Sequence, residues 1–107
     1  MKAIFHILEL NKWNTNIDNI RDFIKNEPDA LVEVVVGSDA AGLFGKYTGV
    51  DFTDLLENPN VRMTISKLGL EKNNLNTDLL PPGVFVDEYI ITRVVKLQEE
   101  GYAYIRL

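Results

Sequence analysis

The fold of this chain is decided by the stretch Leu31-Val32-Glu33-Val34-Val35-Val36, which is followed directly by Gly37. Most of these residues are β-branched, and Glu33 is the one charged residue in the run. Short, nearly continuous apolar runs are typical of strands that are buried on both faces of a parallel sheet. Residues 3–8 have the same character, so we predict a second buried strand there.

Helical and strand patterns alternate around these two runs. A helix is predicted after the first strand because Ile17, Ile20 and Ile24 recur at helical spacing, with capping side chains at 14–16 and a stop at Pro28. The remaining predicted elements are short helices at 40–47, 51–58 and 68–75, strands at 61–66, 84–86 and 102–107, and a helix between Asp87 and Gly101. This alternation predicts one mostly parallel sheet of five strands, with four or five helices covering both faces.

The composition limits the classes of protein that fit the chain. Its 107 residues and hydrophobic fraction of 46% indicate one globular domain spanning 1–107. A net charge of −5, without a cluster of lysines or arginines, argues against nucleic acids and anionic membranes as partners. The absence of cysteine excludes disulfides, thiolate metal sites and thiol nucleophiles. We expect a cytoplasmic location, because neither a signal peptide nor a stretch of ~20 apolar residues is found.

Several segments resemble the small proteins of the DsrE/DsrF-like family. They are the opening Phe5-His6-Ile7 with Trp13 and 16–20, the strand Glu33-Val34-Val35-Val36, the segment Leu79-Leu80-Pro81 and, most specifically, the ending Leu97-Gln98-Glu99-Glu100-Gly101-Tyr102-Ala103-Tyr104-Ile105. The resemblance spans nearly the whole chain. It implies a three-layer α/β/α fold with a five-stranded, mostly parallel sheet, and assembly into dimers, trimers or hexamers.

One position departs from that family. In relatives that pass sulfur along as a persulfide, the reactive cysteine follows the third strand, and this chain has Ser66 there. A serine hydroxyl cannot hold a persulfide, and it stays protonated at neutral pH unless a base activates it. The family's hydrogen-bonding residues near the second strand are also altered, with Val36-Gly37-Ser38 in their place. We therefore expect no persulfide chemistry from this chain alone.

The candidate functional residues are expected near the carboxyl edge of the sheet, because ligands of open α/β folds bind beyond the carboxyl ends of the strands. No catalytic residue, cofactor or metal ion is predicted, since the single histidine and the dispersed carboxylates do not form a ligand set. The residues that we assign to a candidate pocket are His6, Glu9, Trp13, Asn16, Gly37 and Ser66.

Three of these assignments have a plainer alternative. His6 is either a general base or pH-sensitive contact, or a core histidine that a hydrogen bond holds at the sheet or at a subunit interface. Trp13 is interpreted as a loop residue that stacks on a ligand or packs against a neighbouring subunit. Asn16, with Asn19 one turn further on, either faces a pocket or partner, or caps the helix and is solvated.

Two reaction motifs are considered and disfavoured. Ser66, His6 and Glu9 are a conceivable nucleophile, base and orienting group, but no Gly-x-Ser-x-Gly elbow surrounds the serine. Residues 37–42 follow a strand as a phosphate-binding loop does, but they lack its lysine and include Asp39, which repels phosphate. The sequence thus favours a protein that is not an enzyme.

We predict a non-catalytic small-ligand-binding or assembly module that keeps the family scaffold without the sulfur-carrying thiol. The alternative is an accessory subunit of a sulfur-transfer complex, in which a cysteine-bearing partner protein supplies the thiol. A small-molecule enzyme that uses His6 or the carboxylates is a third interpretation. A homo-oligomer is expected, with Tyr89, Tyr102 and Tyr104 as aromatic interface residues unless they pack within the monomer.

Overall fold

A parallel sheet forms the centre of the molecule. The computed structural model describes residues 1–45 and 50–107. Its strands pair in the order β4-β3-β2-β1-β5, and every neighbouring pair is parallel. The predicted α/β fold with a five-stranded sheet is confirmed. The strands are β1 (Lys2–Ile7), β2 (Leu31–Val36), β3 (Val61–Ser66), β4 (Val84–Asp87) and β5 (Ala103–Arg106).

Helices connect the strands. Among the described residues none of these helices is long and apolar enough to cross a membrane. Short 3₁₀ segments lie at Leu10–Lys12, Ser38–Gly45 and Thr77–Leu79. The α-helices of the described ranges are α1 (Trp13–Asn26), α2 (Thr53–Glu57), α3 (Lys67–Lys72) and α4 (Ile90–Glu99).

Successive side chains of each strand point to opposite faces of the sheet, and a layer of helices packs on each face. On β1, Ala3, Phe5 and Ile7 belong to a large core that also contains side chains from α1, α2 and α3. Ile4 faces the opposite side and shares a smaller core with α4. The three-layer α/β/α architecture is therefore confirmed, with layers of unequal thickness. The fully buried members of the smaller core are Ile4, Val35, Val94 and Leu97.

The helices that follow β3 and β4 lie on opposite faces of the sheet. Helices α1, α2 and α3 lie on one face while β1 to β4 are placed side by side, and α4 then crosses the other face to bring β5 beside β1. This arrangement follows from right-handed crossover connections. A crevice is expected where neighbouring strands send the chain in opposite directions. Here that point is the pair Ser66 and Asp87 at the carboxyl ends of β3 and β4.

The charged residue within β2 is explained by a buried ion pair. Glu33 is 3% exposed and points toward α4. Arg93 on α4 donates from both Nε and Nη2 to its carboxylate, the latter at 2.7 Å. The hydroxyl of Thr64 on β3 donates to the same carboxylate at 3.1 Å. A buried carboxylate requires such partners because its desolvation costs several kcal/mol, so this pair fixes α4 against the sheet.

A glycine caps the end of α4. Gly101 has a φ of 95°, and the N–H of Tyr102 donates to the carbonyl of Leu97 at 3.0 Å, as in a Schellman motif. The ring of Tyr102 packs against the smaller core. This tyrosine therefore lies within the monomer, whereas Tyr89 and Tyr104 are exposed.

Several predicted bounds differ from the structure by a few residues, and two of them concern α1 and the segment 40–47. α1 begins at Trp13, directly after a 3₁₀ turn, so residues 14–16 lie inside the helix and do not precede it. The segment predicted as a helix at 40–47 is a 3₁₀ helix, Ser38–Gly45, and positions 46 and 47 lie outside the described residues. A Cβ at Gly45 would lie 2.4 Å from Cδ2 of Leu75. The glycines that weaken an α-helix here permit close packing against the segment after α3.

Candidate functional site

A cavity of about 310 Å³ opens beside the carboxyl ends of β1, β2 and β3. We call it the Gly37 pocket, because the backbone of Gly37 lies where its walls meet. A shallower cleft of about 240 Å³ continues from it along the first turn of α4. The polar side chains of the pocket come from His6, Ser38, Ser66 and Lys72. Its apolar side chains come from Leu8, Leu68, Ile90 and Ile91.

Three residues that the sequence assigns to the site meet in this pocket. A methyl group placed on Gly37 would lie 3.8 Å from Nε2 of His6 and 3.9 Å from Cβ of Ser66. It would also lie 3.5 Å from Cδ2 of Leu8. These are ordinary van der Waals distances, so the absence of a side chain at Gly37 opens space between the histidine and the serine without being required by the packing of the protein itself.

The imidazole of His6 is held from behind by Tyr104. The ring is buried, and its Nδ1 lies 2.7 Å from the tyrosine hydroxyl. Burial first, and then the positive charge of Arg106, lower the pKa of His6 below its ordinary value of 6.5, so the ring is neutral at pH 7. Because a phenol proton is more acidic than the N–H of a neutral imidazole, we assign Tyr104 as the donor to Nδ1. The proton of the ring is then on Nε2, which faces the pocket.

Ser66 is positioned by the start of α3. Its buried side chain caps this helix, and Oγ accepts a hydrogen bond from the backbone N–H of Gly69 at 3.1 Å. One lone pair of the oxygen is therefore occupied, whereas the hydroxyl proton has no acceptor within 1–45 and 50–107 and can donate to a ligand. In the described part of the chain, this hydroxyl makes no hydrogen bond to His6.

Lys72 supplies positive charge at the mouth of the pocket. Its Nζ lies 3.5 Å from Oγ of Ser38 and 3.4 Å from Oδ1 of Asp39. Both partners of the lysine–aspartate pair are largely exposed, so water competes for each charge and the pair contributes little stability. Ser38 has a φ of 52°, a left-handed conformation that costs a non-glycine residue about 1–2 kcal/mol. This strained residue begins the 3₁₀ segment that closes one side of the pocket.

Glu9 lies outside the Gly37 pocket. It forms an ion pair with Lys12 at 2.8 Å and lines a separate open cleft with Leu10, Asn11, Asp39 and Asn73. The described residues therefore do not assemble a serine, histidine and carboxylate triad, since His6 contacts Tyr104 and not Glu9. Nor does any group of three His, Asp or Glu side chains within 1–45 and 50–107 come together to hold a metal ion.

Two further assignments from the sequence are corrected. Trp13 is the first residue of α1, not a loop residue, and it is 1% exposed. Its indole N–H donates to the carbonyl of Ala40 at 2.9 Å and its ring stacks on Phe52, so it packs within its own chain.

Asn16 neither caps the helix nor reaches solvent, because the earlier start of α1 places it one turn inside. It is buried, and its Nδ2 has no hydrogen-bond partner among the described residues. Asn19 is exposed.

Sequence reasoning missed Lys72, Ile90 and Ile91. The spacing of Leu68 and Lys72 puts both on one face of α3, a signal that the sequence does contain. Nothing comparable was available for Ile90 and Ile91, because their approach to β3 depends on α4 crossing the far face of the sheet.

Solved structures with this architecture include two small proteins. A protein of unknown function, MTH1491 from Methanobacterium thermoautotrophicum, has a TM-score of 0.84 at 26% sequence identity, over 99% of this chain and 98% of that chain. The ychN protein from E. coli has a TM-score of 0.71 at 16% identity, over 100% of both chains. No family model and no curated protein matches the chain. These similarities support the fold.

Proposed function

We propose that this protein is a non-catalytic module that binds a small ligand in the Gly37 pocket. The observation that carries the proposal is the convergence of His6, Gly37 and Ser66, from three neighbouring strands and their ends, around one cavity. A concave site with mostly apolar walls and a few fixed polar groups is the usual form of a small-molecule site.

The hydrogen bonds of the two polar residues argue against catalysis. A serine nucleophile requires a base within hydrogen-bond reach. The oxygen of Ser66 is instead used to cap α3, and the ring nitrogen of His6 that has a partner is bonded to Tyr104. Both side chains are fixed as recognition groups, and neither is arranged to move a proton to the other.

The DsrE/DsrF-like scaffold is part of the proposal. On this resemblance, Ser66 occupies the position at which sulfur-carrying relatives have their cysteine. A pocket lies next to this position, and the hydroxyl that stands in place of the thiol caps a helix. A chain of this kind binds without forming a persulfide.

We further propose that the module assembles through the side of the sheet that α4 covers. Exposed apolar side chains are concentrated there, with Val95 at 49% on the helix, Phe85 on β4 and Tyr104 on β5. Contiguous exposed apolar side chains often mark protein interfaces. Sedimentation velocity tests this with Val95→Glu, which is expected to give monomers. Asn19→Glu, an exposed change on α1, is the control and is expected to leave the oligomer intact. A wild-type monomer at micromolar concentration would overturn the assembly proposal.

Native mass spectrometry of gently purified protein tests ligand binding. We expect a bound small molecule in the wild type and its loss in Gly37→Ala, whose methyl group would lie between His6 and Ser66 without a clash. Asn19→Ala is the matched control and is expected to keep the ligand. Identical spectra for all three proteins, without added mass, would contradict the binding proposal.

Two other results of the same work would replace the proposed function. A complex with a cysteine-bearing sulfur-transfer protein would favour the accessory-subunit alternative. Turnover of a small substrate that is lost in folded Ser66→Ala or His6→Ala would identify an enzyme.

A further inference from the structure

Hydrogen-bond donors dominate the polar part of the Gly37 pocket. Nε2–H of His6 faces the space beside Gly37, because Nδ1 is occupied by the hydroxyl of Tyr104. The oxygen of Ser66 accepts from Gly69, and its hydroxyl proton has no acceptor among the described residues. The ammonium group of Lys72 has donors only. A ligand that satisfies these groups must therefore bring acceptor atoms.

The charge of the pocket limits the charge of the ligand. Among the described residues that line it, Lys72 is cationic and none is a carboxylate. Asp39 lies just outside, 3.4 Å from the lysine Nζ, where it would repel a dianion such as a phosphate monoester. The exposed ion pair between these two residues is weak enough for a single carboxylate to share the lysine. The pocket thus suits a monoanion.

The walls of the pocket suit an apolar body. Leu8, Leu68, Ile90 and Ile91 provide its apolar side chains, and Leu68 is 71% exposed with Ile91 at 64%. A ligand lying between α3 and α4 would remove these surfaces from water at about 25 cal/mol per Å². The volume of about 310 Å³ is at the small end of the usual range for ligand sites.

We infer that the Gly37 pocket takes a small monocarboxylate with an apolar tail. The inference rests on the proposed binding function. The carboxylate lies near Lys72 and the hydroxyl of Ser66, and the tail lies between Leu68 and Ile91. Removal of the lysine charge affects the head of such a ligand, whereas a methyl group at Gly37 affects any ligand of the pocket.

Titration of ¹⁵N-labelled protein with hexanoate and with its neutral counterpart hexanamide, followed by NMR, tests the inference. Hexanoate is expected to shift the amides of Gly37, Gly69 and Ile91 and to bind about fivefold more tightly than hexanamide. Lys72→Met keeps the length of the side chain and is expected to remove this preference. Lys96→Met, an exposed change on α4 away from the pocket, is expected to preserve it. Gly37→Ala is expected to abolish binding of both probes.

The outcomes separate the ligand class from the binding function. Equal affinities for the two probes, both lost in Gly37→Ala, would overturn the monocarboxylate and leave the binding module standing. The same conclusion would follow if neither probe bound but the wild type co-purified with a small molecule that Gly37→Ala does not bind. Both proposals would be overturned if neither probe bound and the native mass spectra of the wild type and Gly37→Ala showed no difference in bound mass.

Discussion

The Nδ1 atom of His6 on β1 lies 2.7 Å from the hydroxyl of Tyr104 on β5, and 98 residues separate the two in sequence. The two rings also meet edge to face, with centroids 5.7 Å apart. A residue on one neighbouring strand thus determines which nitrogen of the only histidine is presented to the Gly37 pocket.

Tyr104→Phe tests this contact. Once the ring is protonated, the tyrosine oxygen accepts from Nδ1–H, and because this charged hydrogen bond is stronger than the neutral one, its loss is expected to lower the pKa of His6 further. We also expect the free energy of unfolding to fall by about 1 kcal/mol, the usual contribution of one hydrogen bond. An NMR titration of the single imidazole measures the pKa. The ¹⁵N chemical shifts of the neutral ring in the wild type identify the protonated nitrogen, and a proton on Nδ1 would mean that Nε2 is an acceptor.

The stability of the protein is expected to fall as the pH drops below 6.5. In the unfolded chain His6 titrates near 6.5, whereas burial and Arg106 lower its pKa in the folded protein. The unfolded state therefore binds the proton first, and the stability that is present above pH 6.5 is lost as the pH falls toward the folded pKa.

Urea midpoints at about pH 7.5 and about pH 5.5, followed by the fluorescence of buried Trp13, measure this change. Glu9 and Asp54 also have lowered pKa values in the folded protein, but their ordinary values of 4.5 and 3.8 place their contributions at lower pH. His6→Gln is the control. An unchanged pH dependence in this variant would assign the effect to other groups.

Arg93→Met is expected to lower the free energy of unfolding by about 3 kcal/mol or more, because it leaves Glu33 charged, buried and without its main partner. The double variant Glu33→Met with Arg93→Met removes both charges and is expected to recover most of the loss. Urea denaturation of the wild type and the two variants provides the comparison. Similar losses in the single and double variants would show that packing, and not the unpaired charge, causes the effect.

Two glycine substitutions are expected to differ in their effect on stability. At Gly37 an added methyl group meets its neighbours at 3.5–3.9 Å, so Gly37→Ala is expected to change stability by less than about 0.5 kcal/mol. At Gly101 no atom of the described residues lies within 4 Å of the added methyl group, but φ is +95°. Gly101→Ala is therefore expected to cost about 1 kcal/mol through the backbone alone. Thermal unfolding measures both, and a marked loss in Gly37→Ala would remove its value as a probe of the pocket.

The strands were predictable from sequence because each is decided by a local pattern. β2 and β3 have the predicted bounds, and β5 differs by one residue at each end. The start of α1 was not predictable from sequence, because the polar residues 14–16 have the composition of a helix cap. What places Trp13 in the first turn is its indole hydrogen bond to Ala40, 27 residues away in sequence.

The residues of the candidate site likewise include some that were predictable from sequence and some that were not. His6, Gly37 and Ser66 were found because the carboxyl ends of neighbouring parallel strands must lie together. Glu9 and Trp13 are close in sequence to that edge but turn away from the pocket into an ion pair and the large core, respectively. The ion pair of Glu33 could not be predicted either. Its partner Arg93 is 60 residues away in sequence and lies on α4, in the helical layer over the sheet.

The position of β1 between β2 and β5 has a consequence for how the protein is made. Ala3 is in register with Ala103, so one edge of β1 has no neighbour until about 100 further residues have left the ribosome. At ordinary rates of synthesis this interval is roughly 5–20 s. During it, the open edge of the nascent strand is a template for pairing with other chains. The histidine side of the pocket is therefore completed late, when β5 and Tyr104 reach β1.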